Sequence, residues 1–250
     1  MKSLSGKIAV VTGGTRGIGK AIALRLASEG AHVIAIYARN RQAADELTAE
    51  VEKLNGKVTC LRGDLTDDQT FASMIEEIKK TTDHVDMLVH AAASGVHRAA
   101  TELSLKHLRW TFEINVFAVH HLILALSPMM REGGRIVGIT SHGGTRVIPY
   151  YTAVGASKGA LESLFRHYAA EFAPKGISVN LVCPGMVLTD AVNAFPEKEQ
   201  RIERTLAATP SKRLTTVDDV AGVVSFLMSE AGRQVIGQTL TVDGGKTLAN

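Results

Sequence analysis

The chain has few cysteines, no run of basic residues and no long apolar segment, and each shortage excludes a class of protein. Cys60 and Cys183 lie far apart and form no CxxC pair, so neither a zinc site nor a disulfide framework is indicated. Two isolated thiols suit a reducing compartment such as the cytoplasm. We therefore expect a cytoplasmic protein that binds no metal.

The partners that the composition disfavours are nucleic acids and membranes. The net charge is +3, and no run of five or more Lys or Arg residues suggests a nucleic-acid surface. A membrane span needs about 18 apolar residues, and no such segment is evident. The apolar run at residues 8–11 is too short for a signal peptide. We expect neither a nucleic-acid partner nor a membrane.

Strand-like and helix-like patterns alternate along all 250 residues. Runs rich in β-formers lie at 8–11, 31–36, 58–61, 87–90, 135–139, 178–182 and 239–242. Helical periodicity lies between them, at 17–29, 41–54, 67–80, 104–130, 151–172 and 217–228. Such alternation predicts an α/β fold with a doubly wound parallel sheet of about seven strands and helices on both faces. We assign residues 1–250 to one domain.

One stretch, residues 185–213, lacks a clear pattern. It contains Pro196 and Pro210 and a short helical signal at 197–206. A long, irregular segment after a strand is typical of a lid over a substrate site. The alternative is an ordinary surface loop.

The first strand leads into a glycine-rich loop that opens the first helix. Residues 12–19 read TGGTRGIG. Glycines allow a tight turn and close approach of the backbone to a pyrophosphate, and the helix start offers free N–H groups and the positive end of its dipole. This placement predicts a dinucleotide site. The candidate contacts in this loop are Gly13, Thr15, Arg16, Gly17, Ile18 and Gly19.

The end of the second strand indicates which dinucleotide is bound. NAD sites usually carry an acidic residue there, but residues 36–40 read IYARN. Arg39 follows the strand, and Arg16 projects from the glycine loop. Two guanidinium groups suit a ribose 2′-phosphate, so we predict NADPH/NADP+ as the cofactor. The alternative is that either arginine faces water.

Later motifs point to a known family. They are Asn115 in the fourth helix, Ser141 after the fifth strand, Lys158, CPG at 183–185 and VDGG at 242–245. With the glycine loop they resemble the short-chain dehydrogenase/reductase family over nearly the whole chain. The resemblance implies a Rossmann-type fold and a homotetramer built on residues 104–130 and 151–172. It also implies cofactor contacts at Asp64, Leu65, Ala91, Asn115, Lys158, Pro184, Gly185 and Thr189.

Two positions depart from that family. Residues 90–93 read HAAA where many members read NNAG, and Val154 stands where most members have a tyrosine four residues before the lysine. Ser141 and Lys158 keep the family's separation of 17, so only the phenol has moved. Tyr151, seven residues before Lys158, would lie within about 20° of the same helix face, about 10 Å along the axis. We expect both side chains to enter one cleft.

The displaced phenol bears on the reaction. A carbonyl reductase needs its acid at the oxygen next to the carbon that receives hydride. An enoyl reductase delivers hydride to the β-carbon, and charge builds on an oxygen two carbons further away. A phenol placed further from the lysine suits the second case.

The Tyr-x₆-Lys spacing resembles the NADPH-dependent enoyl-acyl-carrier-protein reductases of the FabL kind, which act in fatty-acid elongation. That resemblance implies an acyl thioester substrate, which such enzymes receive on acyl carrier protein. It implies that Tyr151 stabilises the enolate and Lys158 holds the nicotinamide ribose, with Ser141 at the family's catalytic serine position. Ser94 belongs to the matching neighbourhood. Phe195 is a further candidate substrate contact, with a loop anchor as the alternative.

Three alternatives stay open. Tyr150 is adjacent to Tyr151 and could be the acid instead. The enzyme could be an NADPH-dependent carbonyl reductase for 3-oxoacyl or other ketones. Finally, Val154 could mark an NADP-binding sensor without catalysis.

Overall fold

The computed structural model describes residues 3–190, 192, 195 and 197–248. The described residues form one seven-stranded parallel sheet in the order β3-β2-β1-β4-β5-β6-β7. The strands are β1 (Ile8–Thr12), β2 (His32–Tyr37), β3 (Lys57–Arg62), β4 (Val85–His90), β5 (Met130–Ile139), β6 (Ser178–Pro184) and β7 (Thr239–Val242). The predicted fold class is confirmed.

Helices cover both faces of this sheet. They are α1 (Gly17–Ser28), α2 (Arg41–Lys53), α3 (Asp68–Thr81), α4 (Leu105–Phe112), α5 (Ala118–Leu126), α6 (Thr152–Phe172), α7 (Lys198–Ala208) and α8 (Val217–Met228). One core joins the sheet to α1, α2 and α8, and the other joins it to α3, α5 and α6. Central strands such as β1 bury both faces, which explains their continuous apolar runs.

The predicted fourth helix is interrupted. A π-helical turn, Glu113–Phe117, separates α4 from α5, and Met130 already belongs to β5. The helical stretch Leu105–Met129 is long and apolar enough to cross a membrane by length and composition, a property that the sequence reading overlooked. The core helix of a globular domain meets the same criterion, and here Val119 and Leu122 are buried against the sheet.

The predicted lid contains α7, which begins one residue later and ends two residues later than predicted. Val187 pairs with Thr215 in an isolated bridge, so the start of the segment is tied to the residues that lead into α8. Ala191, Asn193, Ala194 and Pro196 lie outside the described residues. The lid and the domain boundaries stay predictions.

Candidate active site

The candidate site lies at the carboxyl edge of the sheet, where β1 and β4 are neighbours and the strand order reverses direction. In doubly wound sheets this switch point forms a crevice for ligands. The loops after β1, β4, β5 and β6 carry most of the predicted site residues.

The glycine loop packs directly on the loop after β4. Gly13 has φ of +64°, and a Cβ there would lie 3.0 Å from the Ala92 nitrogen, so both conformation and space require glycine. The Ala92 N–H donates to Thr12 Oγ1 at 3.1 Å. At the start of α1 no side chain caps the helix, which leaves its N–H groups for a ligand. These features fit a dinucleotide pyrophosphate.

The two arginines predicted for the 2′-phosphate have different surroundings. Arg16 lies 3.5 Å from the Asp190 carboxylate, and both side chains are largely exposed. Arg39 is exposed, and no hydrogen bond or ion pair joins it to another described residue. Thr189 approaches Gly17, since a Cβ there would lie 3.3 Å from the Thr189 methyl group. The lid therefore begins against the glycine loop.

Asp64 forms a local turn. Its Oδ1 accepts from the Thr66 N–H at 3.0 Å and from the Thr66 hydroxyl at 2.7 Å. The cap of α3 is Asp67, whose side chain accepts from Thr70. Leu65 packs on the core beneath. The turn sets the loop after β3 beside the crevice.

Lys158 lies inside the site as predicted, on the buried face of α6. Its ammonium donates to the Ile139 carbonyl at 2.8 Å, and the residue is 4% exposed. Burial lowers the pKa of Lys158 to about 8, and the neighbouring Cys183 and Glu162 only partly oppose that shift. The ammonium is thus the main form at neutral pH.

Tyr151 reaches the same site by a route that the sequence did not indicate. It is the N-terminal cap residue of α6, with φ of −116°, so it stands outside the helix and the two-turn helical argument was wrong for it. Burial nevertheless raises the pKa of its hydroxyl, and the neighbouring Ser141 side chain only partly opposes that shift. The ring rests on Gly143, where any Cβ would overlap it.

The neighbouring phenol lies elsewhere. Tyr150 has φ of +62°, a left-handed conformation that costs a bulky residue energy, and its side chain is 40% exposed. Val154 is buried, and a Cβ on Gly95 would overlap one of its methyl groups. The place usual for the family's phenol is therefore filled by a valine packed against the loop after β4.

Two rings, those of Phe195 and His97, lie against the Tyr151 ring. Phe195 stacks on Tyr151 with 5.7 Å between centroids, and His97 lies 4.1 Å from Phe195. The Arg201 guanidinium lies over the Phe195 ring at 5.0 Å and donates to the Pro149 carbonyl at 3.1 Å. Phe195 thus packs between Tyr151 and Arg201 of α7, and its roles as a substrate contact or a loop anchor both stay predictions.

Asn115 and Ser94 are joined to each other. The Asn115 amide donates to the Ser94 carbonyl and to Ser157 Oγ, both at 2.9 Å, and its oxygen accepts from the Ser94 N–H at 3.0 Å. Asn115 therefore ties the loop after β4 to α6. The remaining predicted contacts lie at the ends of the neighbouring strands. Ala91, after β4, packs on the core, and Pro184 of β6 is the sheet-register partner of Val242 in β7. Gly185 lies against the Thr215 side chain.

A row of three polar side chains beneath the site was not predicted from the sequence. Cys183 Sγ lies 3.4 Å from His142 Nδ1, and His142 Nε2 lies 3.3 Å from the Asp243 carboxylate. The order thiol, imidazole, carboxylate is that of cysteine nucleophiles. Burial, together with Glu162 and Asp243, raises the pKa of Cys183 to about 12, so the thiol stays protonated and unreactive. The contact between Cys183 and His142 joins the end of β6 to the Ser141 loop.

Comparison with known proteins shows the family. A family model described as Enoyl-(Acyl carrier protein) reductase matches residues 13–247. The chain is 32% identical to 1-cyclohexenylcarbonyl-CoA reductase of Streptomyces collinus, over 97% of this chain and 87% of that protein. It is 34% identical to the 3-oxoacyl-[acyl-carrier-protein] reductase FabG of Haemophilus influenzae, over 98% and 100%.

A solved structure agrees. A short chain dehydrogenase from Burkholderia cenocepacia J2315 in complex with NADP is 33% identical, with a TM-score of 0.89 over 98% of this chain and 99% of that one. The chain therefore belongs to the short-chain dehydrogenase/reductase family. It is an oxidoreductase of a nicotinamide-dependent family, which agrees with the predicted cofactor class.

Proposed function

We propose that the enzyme uses NADPH to reduce the trans-2 double bond of an enoyl thioester. The observation that carries this proposal is the exchange at α6. Val154 fills the family's phenol position, and Tyr151 lies beside Ser141 at the helix cap. The family model and the cyclohexenylcarbonyl-CoA reductase, whose names give conjugated thioesters as substrates, support it.

The bound cofactor would supply a hydride to the β-carbon of the substrate. Negative charge then builds on the thioester oxygen, where a preorganised donor stabilises it. Tyr151 suits this role because its raised pKa keeps the hydroxyl protonated at neutral pH. Ser141 holds that hydroxyl in place, and the Lys158 ammonium would hold the nicotinamide ribose. Phe195 and His97 would exclude water above the reacting carbons.

The preference for NADPH would come from Arg39. Its guanidinium is exposed and makes no bond to another described residue, so it can take a 2′-phosphate without losing a partner. Arg16 would contribute by exchanging its long, exposed contact with Asp190 for the phosphate. The solved relative with NADP is consistent with this choice.

The proposed partners are an acyl carrier protein that presents the substrate and further copies of the chain. Trp110, Phe117 and Leu124 on the interrupted helix are exposed apolar side chains, which a homotetramer would cover. Neither nucleic acid nor a membrane is proposed as a partner, and we propose a cytoplasmic location.

A second candidate is NADPH-dependent reduction of a 3-oxoacyl thioester or another ketone. The proximity of Tyr151 to Ser141 favours it, because a phenol beside a serine also suits a carbonyl oxygen next to the carbon that receives hydride. The FabG relative is named for that reaction.

One assay separates the candidates. NADPH oxidation is followed with crotonyl and with acetoacetyl thioesters, each as the coenzyme A and the carrier-protein form. We expect turnover of the crotonyl thioester. Turnover of the acetoacetyl thioester alone would assign the second candidate. If NADPH binds but neither thioester reacts, the sensor alternative replaces both.

A further inference from the structure

His90 is the most deeply buried titratable group near the site, and the reaction proposed above makes no use of it. It ends β4, and none of its surface is exposed. In the sheet register it lies between Thr12 of β1 and Gly138 of β5. A Cβ on Gly138 would lie 2.8 Å from Phe165 of α6, so these three positions face α6, the helix that carries Lys158.

Counting hydrogens assigns the tautomer of the ring. Thr12 Oγ1 accepts from the Ala92 N–H, and its remaining contact is His90 Nδ1 at 3.1 Å. The hydroxyl hydrogen of Thr12 needs an acceptor, so Nδ1 accepts and the ring hydrogen is on Nε2. Burial, with Lys158 adding to the effect, lowers the pKa of His90 to about 3, so the ring is neutral.

This assignment leaves a buried donor. His90 Nε2 has no hydrogen-bond partner among the described residues. Buried N–H groups are almost always paired with protein or with ordered water. Lys158 is the charged group that acts on the His90 ring. Its ammonium bonds the carbonyl of Ile139, the residue after His90's register partner Gly138. That bond takes one of the three ammonium hydrogens.

We propose that His90 is a positioning residue whose Nε2–H donates to a buried water that also accepts from the Lys158 ammonium. The two ring nitrogens then serve two parts of the site. Nδ1 holds Thr12 and, through it, the Ala92 loop against the glycine loop. Through the bridging water, Nε2 holds the Lys158 ammonium in position between the Ile139 carbonyl and the cofactor. The inference rests on the role given to Lys158 in the proposed function.

The effect on protonation follows from the orientation of the ring. A neutral imidazole that points its N–H end toward the ammonium disfavours the positive charge. The other groups that face Lys158 are Cys183 from β6 and Glu162 from its own helix, and both favour the charge. Removal of the Nε2–H should therefore raise the pKa of Lys158.

Two substitutions separate the two nitrogens. In His90→Asn the side-chain amide takes the place of Nδ1, so the Thr12 bond survives and the Nε2 donor is lost. In His90→Gln the amide reaches the place of Nε2, so the donor survives and the Thr12 bond is lost. We expect His90→Asn to move the basic limb of the pH profile for kcat upward by about half a unit or more, with KM for NADPH within about twofold. We expect His90→Gln to leave the limb in place and to raise that KM by roughly threefold or more.

Two further measurements need no substrate, and the first of them needs no variant. Nitrogen-15 NMR of the unmodified enzyme should show His90 as the neutral Nε2–H tautomer from pH 5 to 9. Carbon-13 NMR of labelled lysine should give a higher pKa for Lys158 in His90→Asn than in the unmodified enzyme. An Nδ1–H tautomer, or an unchanged Lys158 pKa in His90→Asn, would overturn the inference. An enzyme that is inactive with enoyl thioesters but passes both tests would defeat only the proposed function.

Discussion

The two edges of the sheet hold their charged groups in opposite ways. At the amino edge, Lys7, Asp83, His84, Asp86 and Arg131 form exposed and half-exposed ion pairs, which we call the amino-edge network. At the carboxyl edge, Lys158 and His90 are buried, and no oppositely charged group among the described residues makes a hydrogen bond to either side chain.

The difference shows what each edge contributes. Solvated ion pairs add little free energy and perturb pKa values little, so the amino-edge network serves local structure. Burial without a charged partner shifts pKa values toward neutrality, and such groups cluster where chemistry occurs. Among the described residues, the large shifts of Lys158 and His90 lie at the carboxyl edge. Substitutions at the carboxyl edge should therefore lower activity more than stability. Substitutions at the amino edge should lower stability more than activity.

The largest expected effect is at Tyr151. Tyr151→Phe keeps the ring and its stacking with Phe195 but removes the hydroxyl beside Ser141. We expect kcat to fall by about 10²- to 10⁴-fold with little change in unfolding free energy. Tyr150→Phe is the matched control, since its exposed ring should be dispensable. An active Tyr151→Phe beside an inactive Tyr150→Phe would assign the acid to Tyr150.

The next effect is the pH dependence that Lys158 imposes. Its folded-state pKa is lowered to about 8, so the ammonium is present below that pH and lost as the pH rises through it. We expect kcat/KM to fall about tenfold for each pH unit well above 8. Stopped-assay rates from pH 6 to 10 measure this. A flat profile through pH 9.5 would mean that the ammonium does not contribute to the rate-limiting step.

A smaller effect is expected at the cofactor's 2′-phosphate. Arg39→Ala removes an exposed guanidinium that has no other described partner. We expect KM for NADPH to rise by roughly tenfold or more and KM for NADH to stay unchanged. Arg41→Ala is the control, because Arg41 is also exposed and contacts only Asp45 at 4.0 Å. Equal changes with both cofactors would contradict the 2′-phosphate role.

The smallest effect is at the amino-edge network. Asp86 accepts from the Ile8 N–H at 2.8 Å and from Lys7 Nζ at 2.9 Å. We expect Asp86→Asn to lower the free energy of unfolding by about 1 kcal/mol, because it weakens one charge-assisted bond to the first strand. Urea unfolding measures the loss, and kcat should not change. A large loss of kcat at unchanged stability would abolish the contrast between the two edges.

Parts of the site could be read from the sequence because they are local. The glycine loop and Ser141 each follow a strand, and Lys158 lies in the second turn of α6, so their place at the carboxyl edge follows from the order of elements. The position of Tyr151 could not be derived in this way. The helix begins one residue after it, so helical geometry does not describe its side chain. Contacts with Gly143 and Ser141 from another loop set its direction instead.

Contacts between residues far apart in the sequence could not be predicted from it either. Asn115 was predicted as a cofactor contact, but its amide bonds Ser94 and Ser157, which lie 21 and 42 residues away. Arg16 was predicted to face the phosphate, and it contacts Asp190 across the lid. His90 was visible only as a departure from the family's motif. Its role depends on Thr12, 78 residues earlier, and on the burial that makes the ring neutral.

The amino-acid order alone determined the alternation of strands and helices, the dinucleotide loop and the missing tyrosine at position 154, because these depend on short-range periodicity and residue type. Only the tertiary structure decided which groups are buried together at the carboxyl edge. The pKa values of Lys158, His90 and Cys183 depend on desolvation and on neighbours from other strands. Desolvation arises only when the sheet and its helices close around those side chains.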